Sequence, residues 1–265
     1  NMKIWQTEEG DLLQVEAIMG IRMVLEPMEQ AMSGTSNEEQ KDLAILTSIK
    51  PDKPIKNARK VSKMNLILSG MEDKEFALSD YRQKVTLNTE KKIARFNIKA
   101  ENIPVNDSAF PVNDPEMQEY VISTPYIDSD MPDVSNQAKE IAGNEKNILI
   151  VCKKLNKWIH SKMSYKADIG IARSASDVLE NKTGVCRDYA ILMAGMARSL
   201  GIPAKVVSGI VYANGAFYYH AWTECYAGKW IPFDPTMGSE FVDATHIKLA
   251  EGDATSMFTL SRVIG

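Results

Sequence analysis

The feature that most constrains the fold is Asn214-Gly215, set between two long runs of strong β character. Lys205-Val206-Val207-Ser208-Gly209-Ile210-Val211-Tyr212 precedes it, and Phe217-Tyr218-Tyr219-His220-Ala221-Trp222-Thr223-Glu224-Cys225-Tyr226 follows. Asn-Gly supplies the left-handed pair of a tight hairpin, so the two runs are expected to pair antiparallel. Gly228 turns the chain again, and Lys229-Trp230-Ile231-Pro232-Phe233 reads as a third strand ending at Asp234-Pro235. Ahead of this meander the pattern is helical. A short helix is expected over Val134 to Gly143, and a longer one over Asn147 to Met163 with Ile148, Val151, Cys152, Leu155, Trp158 and Ile159 on one face. Another starts at Ser174 to Leu179, capped by Ser174 or Ser176, with Asp177 favourably placed in its first turn. Helices followed by an antiparallel meander make this part of the chain α+β.

The first 110 residues differ. Lys3 to Gln6 and Leu12 to Ala17 read as a hairpin around Glu8-Glu9-Gly10-Asp11, Pro27 to Gln30 as a helix start, Ser33 to Asn37 as a loop, and Asp42 to Ile49 as a strand stopped by Pro51 and Pro54. Alternating segments follow over Asn57 to Ser69, Val85 to Leu87 and Lys92 to Ile98, with no long amphipathic helix. A β-rich domain over residues 1–110 is expected, built as a sandwich. Residues 111–133, rich in Pro, Asn, Asp and Ser, read as a connector, and residues 134–265 as a second domain. A length of 265 residues is enough for two ordinary domains.

Composition removes several classes of function. A net charge of −4 argues against a nucleic-acid partner. No apolar run reaches the roughly 18 residues that a membrane span needs. The sequence opens at Asn1-Met2-Lys3-Ile4-Trp5 as if a strand were already under way, a start compatible with a leader removed ahead of it. Three cysteines, Cys152, Cys186 and Cys225, are too few and too scattered for a disulfide scaffold or a CxxC-type zinc site. Cys152 and Cys225 are expected to be buried free thiols, with a pairing between them as the alternative.

Cys186 stands apart from the other two. In Thr183-Gly184-Val185-Cys186-Arg187-Asp188-Tyr189-Ala190, Thr183-Gly184 is an entry turn. From Tyr189 the apolar residues Leu192, Met193, Met196, Ala197 and Leu200 recur as one buried face of a helix that Gly201 and Pro203 end. Cys186 then lies in the first turn, near free backbone N–H groups and the positive end of the helix dipole, a setting that favours the nucleophilic thiolate. Such a thiolate needs a base and a group to orient that base. Of the three histidines, His160 sits on the polar side of its helix near the end, and His246 has a local carboxylate but no clear relation to the cysteine. His220 lies mid-strand in the hairpin after the cysteine helix, and Asp234, around the Gly228 turn, can reach its second ring nitrogen. Taken singly, Cys186 is more often a buried structural thiol, His220 a hydrogen-bonded core residue and Asp234 a turn residue. The weight lies in the ordered set.

With these residues the chain resembles the transglutaminase-like superfamily of papain-like cysteine enzymes. Gly184-Val185-Cys186-Arg187-Asp188-Tyr189-Ala190, Gly201-Ile202-Pro203-Ala204-Lys205, His220-Ala221-Trp222-Thr223-Glu224 and Trp230-Ile231-Pro232-Phe233-Asp234-Pro235-Thr236 carry the resemblance, over roughly residues 134–240. It implies Cys186 as nucleophile, His220 as general base and then acid, Asp234 as orienter, and a thioester intermediate. It also implies an aromatic at Tyr165, either shaping the oxyanion site or packing in the core. No spaced carboxylate loop of the calcium-dependent members is found, and no cofactor is called for. A protein or peptide substrate, hydrolysis in preference to crosslinking, and export to the periplasm or cell envelope are the expectations. The competing one is a non-catalytic envelope-binding module that keeps the fold. Specificity is expected to reside in the loops over Ser164 to Arg173 and after Pro235.

Overall fold

A computed structural model describes residues 3–7, 10, 12–16, 22–27, 48–101, 103–166, 173–239 and 242–253. The helix start read at Pro27 to Gln30, the loop at Ser33 to Asn37 and most of the strand at Asp42 to Ile49 lie outside them. The expected first hairpin is formed by β1 (Lys3–Gln6) and β2 (Leu12–Glu16), which pair from Lys3↔Glu16 to Gln6↔Leu12. A third strand, β3 (Arg22–Val24), adds to β2. A second antiparallel sheet contains β4 (Lys63–Ser69), β5 (Gln83–Asn88) and β6 (Ile93–Lys99) in the order β4-β6-β5. Along β6, Ala94, Phe96 and Ile98 are buried while Arg95, Asn97 and Lys99 are exposed, the period of two that a sheet with one covered face requires.

Helices α1 (Pro132–Ala142), α2 (Ile148–Lys162), α3 (Ala175–Asn181) and α4 (Cys186–Ser199) come next, at the positions the periodicity predicts. Ser174 caps α3, its hydroxyl accepting from Asp177 N while the Asp177 carboxylate accepts from Ser174 N. Between them, the short parallel strands β7 (Ser164–Tyr165) and β8 (Thr183–Gly184) lead into α4. The expected meander is β9 (Ala204–Ala213), β10 (Ala216–Tyr226) and β11 (Trp230–Phe233), and Asn214 and Gly215 take φ of 47° and 92° in its hairpin. A further strand, β12 (His246–Gly252), completes an antiparallel sheet in the order β11-β10-β9-β12. The fold is α+β, as expected.

Two cores meet along β9. Ala204 and Val206, near its start, join the core of α1 to α4, whereas Ile210 and Tyr212 join one formed with Phe76, Phe96 and Ile98 of the N-terminal region and Ile247 and Leu249 of β12. Sheet-on-sheet packing therefore occurs between the β4-β6-β5 sheet and the second region's sheet. Among the described residues, that second core holds nothing from β1 to β3. Helix α4 departs from the one-faced reading, since every residue from Asp188 to Arg198 is buried. Sheet and helices surround it, and Gly195 admits the close approach of α3: a Cβ there would lie 2.7 Å from Ala175 Cβ.

Candidate active site

Cys186 is the first residue of α4 and is partly exposed, while Cys152 and Cys225 are buried free thiols. The helix start is held from within by Asp188, which is 1% exposed. Its Oδ2 accepts from Val185 N at 2.9 Å and from Arg173 Nη2 at 2.8 Å, and Arg173 Nη2 also donates to Thr183 O at 2.8 Å. Gly184 is required here, since a Cβ would come within 2.6 Å of Asp188 Cβ and 2.7 Å of Arg173 Nη2.

His220 lies on β10 opposite Gly209 of β9. Strand β11 pairs with β10 only from Thr223 to Tyr226, so the chain leaves the sheet at Asp234 close to His220. His220 Nε2 donates to Asp234 Oδ2 at 2.8 Å. Cys186 also acts on His220, helping to raise its pKa, and with Nε2 committed to Asp234, Nδ1 is the ring nitrogen left for the sulfur. The structure thus brings together the three residues singled out from the sequence. Asp234 is wholly buried; its Oδ1 accepts from Thr236 N at 2.9 Å and Met237 N at 3.2 Å, which locks the turn after β11.

Burial works against the His220 cation, but the Asp234 charge and hydrogen bond, with Cys186 adding to them, raise its pKa to about 10. Burial would likewise raise Asp234, yet the charges of and hydrogen bonds from His220 and His246 hold its carboxyl far below the usual range. A carboxylate so placed keeps the imidazole protonated next to the sulfur.

The other histidines also gather at this turn. His160 Nδ1 donates towards Pro235 O and Thr236 O, each at 3.2 Å, and so braces the segment that carries Asp234. His246, set aside on its sequence placement, contacts Asp234 Oδ2 through Nε2 at 3.1 Å. It was missed because residues after Pro235 read as a loop, although His246-Ile247-Lys248-Leu249-Ala250 carries apolar residues at alternate positions, a signal of β12. The donor atoms of His220, Asp234 and His246 lie within 4.8 Å of one another. Both imidazole nitrogens already bond the same oxygen, and an ion there would have to replace both bonds. Tyr165 sits on β7 opposite Gly184, two residues before Cys186, and is 61% exposed, so it is not core packing.

Residues 135–235 match the model of the transglutaminase-like superfamily. This part of the chain belongs to that superfamily. The chain is 32% identical over 96 residues to an uncharacterised Mycobacterium leprae protein, a match that covers 33% of this chain and 34% of that protein. The match therefore spans about a third of that curated relative. The fold is similar to the crystal structure of a protein from Cytophaga hutchinsonii named as a candidate cysteine protease, with a TM-score of 0.53 and 21% identity over 74% of this chain and 78% of that one. At that identity the likeness is one of fold.

Proposed function

We propose that the chain is a cysteine-dependent hydrolase of peptide or side-chain amides. The observation that carries this reading is the bond from His220 to the buried Asp234 at 2.8 Å, with the partly exposed Cys186 near enough to raise the His220 pKa further. The Cys186 sulfur attacks the amide carbonyl carbon, and the carbonyl electron pair moves to oxygen near the α4 N-terminus, whose free N–H groups favour negative charge. As the tetrahedral intermediate collapses, the C–N bond breaks and the His220 proton passes to the leaving amine, which leaves a thioester and a neutral imidazole. Water then attacks the thioester and gives a proton to His220. The acid departs, and the thiolate–imidazolium pair is restored. Asp234 stays ionised throughout and holds the ring.

The proposed substrate is a protein or peptide, with hydrolysis favoured over transfer to an amine, and the proposed compartment is the periplasm or cell envelope, as the family resemblance implies. No helix among the described residues is long and apolar enough to cross a membrane.

Iodoacetamide labelling at neutral pH tests the nucleophile. A bond from Cys152, then burial, push the Cys225 thiol well up, and Cys152 is itself fully buried, so alkylation should be confined to Cys186. Fast labelling of Cys186, slowed in His220→Ala by about a hundredfold, is expected. Labelling at the rate of an ordinary thiol, unaffected by His220→Ala, would remove the enzyme reading and leave the binding module. Incubation of a peptide substrate with a labelled primary amine separates the two fates of the thioester, and release of free acid with little amine incorporation is the outcome hydrolysis requires.

A further inference from the structure

Asp234 Oδ2 accepts from two imidazoles at once. His220 Nε2 is 2.8 Å away and His246 Nε2 3.1 Å away, and the second ring is buried to 1% exposure at the start of β12. A carboxylate oxygen is only an acceptor, so both nitrogens carry their hydrogens towards it. His246 cannot touch a substrate from that depth, and its Nε2 is spent on Asp234. What it can do is fix where Asp234 points. With the Thr236 and Met237 amides on Oδ1, the carboxylate receives a donor on every side that does not face His220.

His246 is itself held firmly. Trp222 stands edge-on to it at 5.4 Å and 89°, and Trp222 also stacks against His220 at 6.2 Å and 25°. Its Nδ1 faces Asp243 Oδ2 at 3.6 Å, an electrostatic approach longer than a hydrogen bond, and that same oxygen pairs with Arg59 Nη1 at 3.1 Å. Arg59 belongs to the N-terminal region, as do two further clamps on the same segment. Arg82 Nη2 donates to Val242 O at 2.9 Å and Asp243 O at 3.2 Å. Gln83 exchanges two bonds with the backbone of Lys248, donating from Nε2 to its carbonyl at 2.8 Å and accepting from its N–H at 3.0 Å.

We propose that His246 is a positioning residue for the active site: it holds the Asp234 carboxylate in line with His220, and Arg59, Arg82 and Gln83 of the N-terminal region hold His246 in turn. The catalytic line then runs Arg59, Asp243, His246, Asp234, His220, Cys186, and begins outside the transglutaminase-like segment. This rests on the reading of Cys186 and His220 as nucleophile and base.

The test compares His246→Leu, which fills the space without a donor, with His246→Gln, whose amide nitrogen can occupy the position of Nε2. Full-length variants are assayed for Cys186 alkylation by iodoacetamide across pH, and for the downfield proton of the His220–Asp234 hydrogen bond by NMR on 15N-histidine-labelled protein. His246→Leu should slow alkylation by about tenfold to a hundredfold and lose the protected His220 Nε2–H resonance. His246→Gln should restore the rate to within about threefold of the wild type and recover the resonance. Wild-type rates in His246→Leu, or equal slowing in both variants, would overturn the proposal. Should the wild-type thiol prove ordinary, the enzyme reading fails by that result alone. The resonance then still decides the positioning, since its survival in His246→Leu would refute it.

Discussion

Asp234 holds a charge with no solvent exposure, and two backbone amides and two imidazoles directed at it make that tolerable. The cost appears in how His220 titrates. Its pKa is raised to about 10 in the fold, against burial, mainly by Asp234 and further by Cys186. Cys186→Ala removes the Cys186 contribution and leaves those of Asp234. In that variant the stabilisation is fully present below a pH of about 6.5, the unfolded histidine value, and is lost as pH rises towards the folded value. Urea midpoints measured between about pH 6 and pH 10 should fall steadily in Cys186→Ala and much less in Cys186→Ala/Asp234→Asn. Parallel profiles in the two would show that Asp234 does not raise His220. Cys186, His220 and Asp234 were legible because each sits where local pattern fixes geometry: a helix start, the middle of a strand and the end of one. His246 was not, because β12 follows a stretch that reads as a loop and carries Lys248, a cation buried between Ile247 and Leu249. Only the fold reveals its partners Glu224, Asp80 and Glu251.

At the scale of elements, the position of the Cys186 sulfur depends on how α4 begins. The Val185 amide and Arg173 both converge on Asp188, and Gly184 leaves the room for them to do so. Gly184→Ala places a methyl against the Asp188 side chain, which cannot retreat, being buried and tied to both partners. The start of the helix must move instead. A loss of about 1–3 kcal/mol is expected in urea unfolding, together with slower alkylation of Cys186. Unchanged alkylation beside the lost stability would mean that the helix start adjusts without carrying the sulfur away from His220. The helices and the meander were readable from periodicity and from Asn214-Gly215, since those signals are local. That α4 is enclosed on all sides was not, because Ala190, Ala194 and Gly195 pattern as polar-side fillers until α3 and the sheet are seen to pack against them.

At the scale of the molecule, the N-terminal region is tied to the β11-β10-β9-β12 sheet by buried polar contacts as well as by the shared core. Lys248 is 5% exposed and pairs with Glu224 at 3.0 Å, Glu251 at 2.8 Å and Asp80 at 2.5 Å, the last from the N-terminal region. Buried ion sets of this kind contribute little net stability but penalise any arrangement that leaves one member unpaired, so they fix how two layers seat on each other. Arg59 does the same for Asp243, and its loss should be felt at the active site. Arg59→Met leaves the Asp243 carboxylate, 1% exposed, without its cation while keeping most of the side-chain volume. Since Arg59 is 38% exposed, solvent screens part of the effect, and a stability loss of about 1–2 kcal/mol is expected. The informative readout is Cys186 alkylation, which should slow about threefold to tenfold as His246 loosens. Lys92→Met is the control: its pair with Glu72 has side chains 58% and 60% exposed, and both stability and alkylation should stay at wild-type values. If Arg59→Met loses stability but alkylates as the wild type does, the N-terminal region supports the fold without reaching Cys186. If the rate falls in Arg59→Met and not in Lys92→Met, the reactivity of Cys186 depends on residues outside the transglutaminase-like segment.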